Sequence, residues 1–78
     1  MTKLERIIAK LEKNVEELQS YVEELESKRD AIEERAIDRD RDMTEKEQDR
    51  FDELDSLIDD INLEISNIED AICSLSEL

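Results

Sequence analysis

An apolar seam with a strict heptad step runs along this chain twice and is interrupted once. In the first block Leu4, Ile8, Leu11, Val15, Leu18, Val22, Leu25 and Ile32 fall on one line; in the second, Phe51, Leu54, Ile58, Ile61, Ile65, Ile68, Ile72 and Leu75 do so. Alternating steps of four and three residues keep these side chains on one narrow stripe of a helix. Such a stripe is stable only when another helix covers it. In heptad terms Ile8, Val15, Val22 and Arg29 take the a positions of the first block, with Leu4, Leu11, Leu18, Leu25 and Ile32 at d. Phe51, Ile58, Ile65 and Ile72 take a in the second, with Leu54, Ile61, Ile68 and Leu75 at d. The pattern leaves little room for any class but all-α.

The two phases do not join. Carried past Ala36, the first register puts Arg39 at d and Met43 at a, and then misses Phe51. Thr44 followed by Glu47 is a capping box, the start signal of a new helix, and Asp42, Glu45 and Glu47 place negative charge where a helix dipole favours it. The expected architecture is one helical hairpin over residues 1–78, with a helix over 3–37, a turn over 38–44 and a helix over 45–77. The register supports folding back. If facing positions have numbers that sum to 83, Ile8 meets Leu75, Leu11 meets Ile72, Val15 meets Ile68, and Leu18 meets Ile65. The same rule pairs Val22 with Ile61, Leu25 with Ile58, Arg29 with Leu54, and Ile32 with Phe51. Every a meets a d, as an antiparallel coiled coil requires. One continuous helix is the competing reading, because Asp and Arg tolerate helix at 38–44. A parallel dimer of the first block alone is another, since β-branched residues at a with Leu at d favour it.

The flanks of the hairpin differ. The e edge carries Glu5, Glu12, Gln19, Glu26 and Glu33, then Asp55, Asn62, Glu69 and Ser76, and is polar and acidic on both helices. The g edge carries Ile7, Asn14, Tyr21, Lys28 and Arg35, then Leu57, Glu64, Ala71 and Leu78. A lone hairpin leaves Ile7, Tyr21, Leu57, Ala71 and Leu78 wet. These five are the expected contact edge for a second copy, which would complete a four-helix bundle, or for a foreign partner.

Composition narrows the function. The chain has 78 residues, 25 acidic and 11 basic, for a net charge of -14. The imbalance is greatest beyond residue 37, and no Lys or Arg follows Arg50. Direct binding of DNA, RNA or an anionic membrane is disfavoured, because phosphate is repelled; a basic protein is the natural counterpart. With no His and a single Cys, the common metal and nucleophile constellations are missing, and no internal disulfide can form. No apolar run approaches the ~18 residues that span a bilayer, and the heptad starts at once after Met1 without a leader pattern, so a cytoplasmic location is expected. No cofactor is implied.

Several clusters invite a chemical reading. Asp38, Asp40, Asp42 and Asp49 have the spacing of positions one, three, five and twelve of a calcium loop, but Met43 stands where that loop needs Gly, and Arg39 and Arg41 intrude. Adjacent carboxylates such as Asp59 and Asp60 need a pocket before they can catalyse anything, and two helices offer none; an enzyme is not expected. Arg29 interrupts the seam, either as a device against wrong registers or as a long side chain that snorkels to a nearby carboxylate. Cys73 and Leu63 fall at outer positions with no assigned role. Asp52, Asp55, Asp59, Asp60, Glu69 and Asp70 line the outer faces of the second helix, about 5–6 Å apart at i, i+3 and i+4. That spacing is close to the phosphate repeat of a nucleic-acid strand, so this face could occupy the basic groove of a nuclease or polymerase; equally, it could simply solvate an apolar seam.

From Arg41 to Ile65, the run Arg-Asp-Met-Thr-Glu-Lys-Glu-Gln-Asp-Arg-Phe-Asp-Glu-Leu, followed by Ile58, Ile61 and Ile65, resembles the N-terminal scaffolding region (delta domain) of tailed-phage major capsid proteins. Those regions are helical coiled coils with a Leu-Thr-x-Glu-Glu start and a Phe-Asp-x-Leu step. Thr44, Glu47, Phe51, Asp52 and Leu54 match, and Met43 replaces the Leu. The resemblance covers about a third of the chain, and no counterpart of the capsid shell domain is expected in these residues. It implies a phage or mobile-element origin and a role in assembly. The expectation is therefore a non-enzymatic protein-binding module of assembly or adaptor type, with a phage-type inhibitor that imitates nucleic acid as the alternative.

Overall fold

The computed structural model describes residues 2–78. Two helices, α1 (Lys3–Asp38) and α2 (Glu45–Ser76), fold back on each other as an antiparallel hairpin measuring 57 × 16 × 14 Å. One continuous helix of this chain would be about twice as long, at 1.5 Å per residue. Each helix starts as its sequence dictates. The Thr2 hydroxyl accepts from the Glu5 amide at 3.1 Å and the Thr44 hydroxyl from the Glu47 amide at 3.2 Å, while each Glu reaches back to its Thr amide. Both are complete capping boxes.

α1 runs one residue past the expected end and stops in a Schellman motif. Arg41 N–H donates to Ala36 C=O at 3.2 Å and Asp40 N–H to Ile37 C=O at 3.0 Å. Asp40 takes the left-handed conformation that such a stop requires, with φ of 53°. Gly is the usual residue there, but this chain has none; Asp tolerates the region better than most other residues. The six-residue connection from Arg39 to Thr44 is then clasped. Arg39 Nη2 donates to both carboxylate oxygens of Glu47, at 2.6 and 2.7 Å. Glu47 thus caps α2 and ties it to the end of α1.

The seam residues of both helices form the core. Val15, Val22, Leu25, Leu54, Ile58 and Ile65 are buried in one cluster, with Leu18, Ile32, Ile61, Ile68 and Ile72 half-buried against it. Both members of the Val15–Ile68, Leu18–Ile65, Val22–Ile61 and Leu25–Ile58 layers lie in that cluster. Burial is deepest towards the middle of the hairpin, at Leu25 and Leu54, and no seam residue of the open end (Leu4, Ile8, Leu11, Ile72, Leu75) is fully buried. Beyond the polar layer at Arg29, Ala36 is buried at the closed end.

Arg29 snorkels. Its Nη1 donates to Asp55 at 2.8 Å and its Nε to Asp30 at 3.3 Å, and its guanidinium carbon stands 5.9 Å from the centre of the Phe51 ring. Asp55 and Phe51 lie on either side of Leu54, its expected partner, so the ion pair closes the layer rather than leaving a buried charge. No helix among the described residues is long and apolar enough to cross a membrane.

Candidate functional site

The hairpin presents two long flanks of opposite character. The flank built from the e and b heptad positions carries Glu5, Glu12, Glu16, Glu23, Glu26, Asp30 and Glu33 on α1, and Glu45, Asp52, Asp55, Asp59 and Glu69 on α2. Not one Lys or Arg belongs to those positions in either helix. Among the described residues the only cation that pairs with a carboxylate of this flank is Arg29, which comes from the seam to hold Asp55 and Asp30. The Asp55 carboxylate, and after it Asp30, holds the Arg29 guanidinium above its already high ordinary pKa, against the opposing effect of desolvation.

Of the six acidic residues expected to form one face, Asp52, Asp55, Asp59 and Glu69 share this flank. Asp60 does not. It lines a groove on the opposite flank with Tyr21, Lys28, Arg50 and Leu57. Asp70 falls on the outermost line of α2, away from both. The acidic flank is thus these four residues of α2 with Glu45, joined by seven of α1, which complete it from the other helix.

The g-edge flank is charge-balanced and apolar in part. Tyr21 is 45% exposed and Leu57 40% exposed, and the two line one open groove of about 410 Å³ over Leu25 and Leu54. Towards the closed end the groove continues between Lys28, Ala31, Arg35 and Arg50, and on past Ile32 to Lys46. Ile7, Ala71 and Leu78 are exposed on the same edge but towards the open end, about 14–24 Å from Tyr21 at 1.5 Å per residue. The five expected edge residues therefore make two patches: Tyr21 with Leu57 at mid-length, and Ile7 with Ala71 and Leu78 at the tip.

Sequence reasoning assigned no role to the four cations Lys28, Arg35, Lys46 and Arg50. Their signal was available: Lys28 and Arg35 sit at successive g positions of α1, Arg50 at the first g position of α2, and Lys46 one turn from Arg50 on the same face. Among the described residues Lys28, Arg35 and Lys46 form no ion pair within the chain, and Arg50 has only Glu53, at 3.3 Å. A chain of net charge -14 thus gathers four cations towards the closed end of one flank, with Asp49 and Glu53 among them.

The remaining candidates have structural places. Asp38 ends α1, Asp40 is the left-handed stop residue, Asp42 lies in the connection and Asp49 rides α2, so the calcium-loop spacing does not close around a centre. Among the described residues no group of three or more His, Cys, Asp or Glu could hold a metal ion. Cys73 is exposed and unpaired, and Leu63 and Ile37 are exposed apolar residues away from the groove. Glu47 has the most perturbed carboxyl: the Arg39 guanidinium first, then the Thr44 amide, hold its pKa down to about 2. Its role is to hold the turn. Compared with family models, with curated proteins and with solved structures, the chain matches none.

Proposed function

We infer that this hairpin is a non-enzymatic protein-binding module of assembly or adaptor type, and that it associates with a second copy of itself. The observation that carries this reading is the g-edge groove. Tyr21 and Leu57 stand there 45% and 40% exposed over the most deeply buried part of the seam, ringed by charges of both signs. An aromatic and an aliphatic anchor within a mixed polar rim make up the usual anatomy of a contact surface. The resemblance of residues 41–65 to a phage scaffolding region supports an assembly role and an origin in a phage or mobile element. Sedimentation equilibrium tests the reading. Tyr21→Glu with Leu57→Glu should convert an oligomer to monomer with helicity intact. Asp52, Asp59 and Glu69 changed together to Lys should leave the oligomer in place.

A second reading rests on the opposite flank. Twelve carboxylates without one cation of their own form a surface that could compete with nucleic acid for a basic groove, as a phage-type inhibitor of a host nuclease would. On this reading the triple Lys variant loses capture of a basic partner, and salt weakens the complex steeply. Unchanged capture by that variant would discard it.

A further inference from the structure

We propose that two copies pack groove to groove in antiparallel, staggered fashion, with the two-fold axis at Leu57, so that the acidic middle of one groove lies on the basic end of the other. This rests on the self-association reading above and specifies its geometry. We place α2 residues level with the α1 residues that complete the expected sum of 83, with which the Arg29–Asp55 bond agrees to within one residue. On that scale the g-edge flank divides into three zones. The open end is apolar, with Ile7, Ala71 and Leu78. The middle is acidic, with Glu17, Glu24 and Glu64 around Tyr21. The closed end has an excess of cations, with Lys28, Arg35, Lys46 and Arg50 against Glu53 and Asp49.

Each helix selects the same axis independently. When α1 lies antiparallel on its copy with numbers summing to 52, Glu17 meets Arg35, Glu24 meets Lys28, and Tyr21 meets Ala31. That centres the axis at level 26 of α1. When α2 lies on its copy with numbers summing to 114, Arg50 meets Glu64 and Leu57 meets Leu57. Leu57 is level with residue 26 of α1, so one two-fold axis serves both helices. The one like-charged neighbour, Glu53 near Asp60, is offset by the bond from Arg50 to Glu53 within each chain.

The rival two-fold axis runs along the hairpin and lays α1 on α2 of the copy at equal levels. It covers Ile7, Ala71 and Leu78, but it sets Glu17 on Glu64, Glu24 on Asp60, and Arg35 between Lys46 and Arg50. Like charges face to face are strongly disfavoured at a closed contact. The staggered contact overlaps about 36 Å of each hairpin and buries on the order of 1,000–1,200 Å² in total, the low end for a specific interface. Contacts of this size belong to the weak class, so a dissociation constant on the order of micromolar is expected.

Cys73 supplies the test. It is exposed, free and outside the proposed overlap, so a nitroxide attached there leaves the contact intact. At about 200 µM protein, where such a dimer is populated, electron–electron dipolar spectroscopy should read a label separation of about 50 Å, from 32 levels of helix. A separation of about 30 Å would mean the lengthwise axis; it would overturn the staggered geometry and leave self-association standing. A monomer at that concentration would overturn both. In the same assay Arg35→Glu should weaken the dimer at least tenfold, and Glu17→Arg added to it should restore most of the loss. If Arg35→Glu leaves affinity unchanged, or the swap restores nothing, the proposed pairing is wrong.

Discussion

Leu25 and Ile58 form the most deeply buried complete layer of the seam, each 4% exposed, and Leu25→Ala should therefore be among the costliest single truncations in the molecule. The substitution removes three carbons from a site with almost no access to water. Leu→Ala in a globular core costs about 2–5 kcal/mol, with the spread set by how far the neighbours collapse into the gap. Here the gap is closed by one facing helix rather than by a full shell, so collapse is easy and the lower half of the range applies, about 2–3 kcal/mol. For a chain of this size each kcal/mol moves the melting midpoint by about 4–8 °C, so the midpoint should fall by about 10–20 °C. The control is Leu11→Ala. Leu11 has the same heptad position near the open end but is only half-buried, and its loss should cost only about 1 kcal/mol. Urea unfolding of dilute protein followed by helical circular dichroism measures both, with an unchanged denaturant slope as the sign that the unfolding reaction is the same. Equal costs at Leu11 and Leu25 would refute the burial gradient, and a cost below about 1 kcal/mol at Leu25 would refute the register.

Other expectations concern the turn and the charge. Asp40 holds the left-handed stop of α1 at φ 53°, so Asp40→Gly should stabilise the hairpin by about 0.5–1 kcal/mol in the same urea experiment, and Asp40→Val should destabilise it by at least as much. Thr44→Ala removes the cap of α2 and should cost about 1 kcal/mol, readable as a lower urea midpoint. The Glu47 carboxyl is held at about 2 from an ordinary 4.5. A carboxyl depressed on folding stabilises the fold above its unfolded pKa and loses that contribution as pH falls through its folded pKa. The stability gap between the wild-type chain and Glu47→Gln should therefore be full at neutral pH and shrink as pH falls from about 4.5 towards 2; a gap that stays constant would remove Arg39 and Thr44 as its cause. Added salt should raise the melting midpoint of the monomer, because it screens repulsion within the all-acidic flank; a midpoint that falls would show that the surface ion pairs outweigh that repulsion.

The hairpin was legible in the sequence because three independent signals agreed: the phase break, the Thr44–Glu47 box and a facing sum that pairs a with d at eight layers. The end of α1 was less legible. With no Gly to mark it, the stop depends on Asp40 accepting a left-handed conformation that Asp adopts only occasionally. The Arg39 clasp was hidden for a similar reason. Arg39 and Glu47 belong to different helices and meet only once the connection has folded. The surfaces were half legible. The heptad assigned Tyr21 and Leu57 to one edge, but the notion of a single acidic face on α2 ignored the rotation that carries Asp60 round to the groove and Asp70 to the outer line. The gathering of cations on one flank was overlooked because net charge is a sum. A chain of -14 reads as acidic everywhere until each cation is given its place on the helical wheel.

That segregation removes the obvious objection to self-association, which is that two chains of charge -14 should repel. Coulomb repulsion acts over the separation between charges, not over the formal sum. In the proposed dimer the carboxylate flanks face outward on opposite sides, about two hairpin thicknesses apart, and each hairpin is 14–16 Å thick. At physiological ionic strength the screening length is about 8 Å, so the flanks scarcely sense each other. The charges that do come close are Glu17, Glu24 and Glu64 on Arg35, Lys28 and Arg50, and these attract. Salt should then act with opposite sign on the two equilibria: it stabilises the folded monomer by relaxing the acidic flank and weakens the dimer by screening its ion pairs. A hydrophobic contact at the open end, through Ile7, Ala71 and Leu78, would instead be indifferent to salt or strengthened by it. A dimer constant that tightens as salt rises, while the melting midpoint also rises, would move the contact from the groove to the tip.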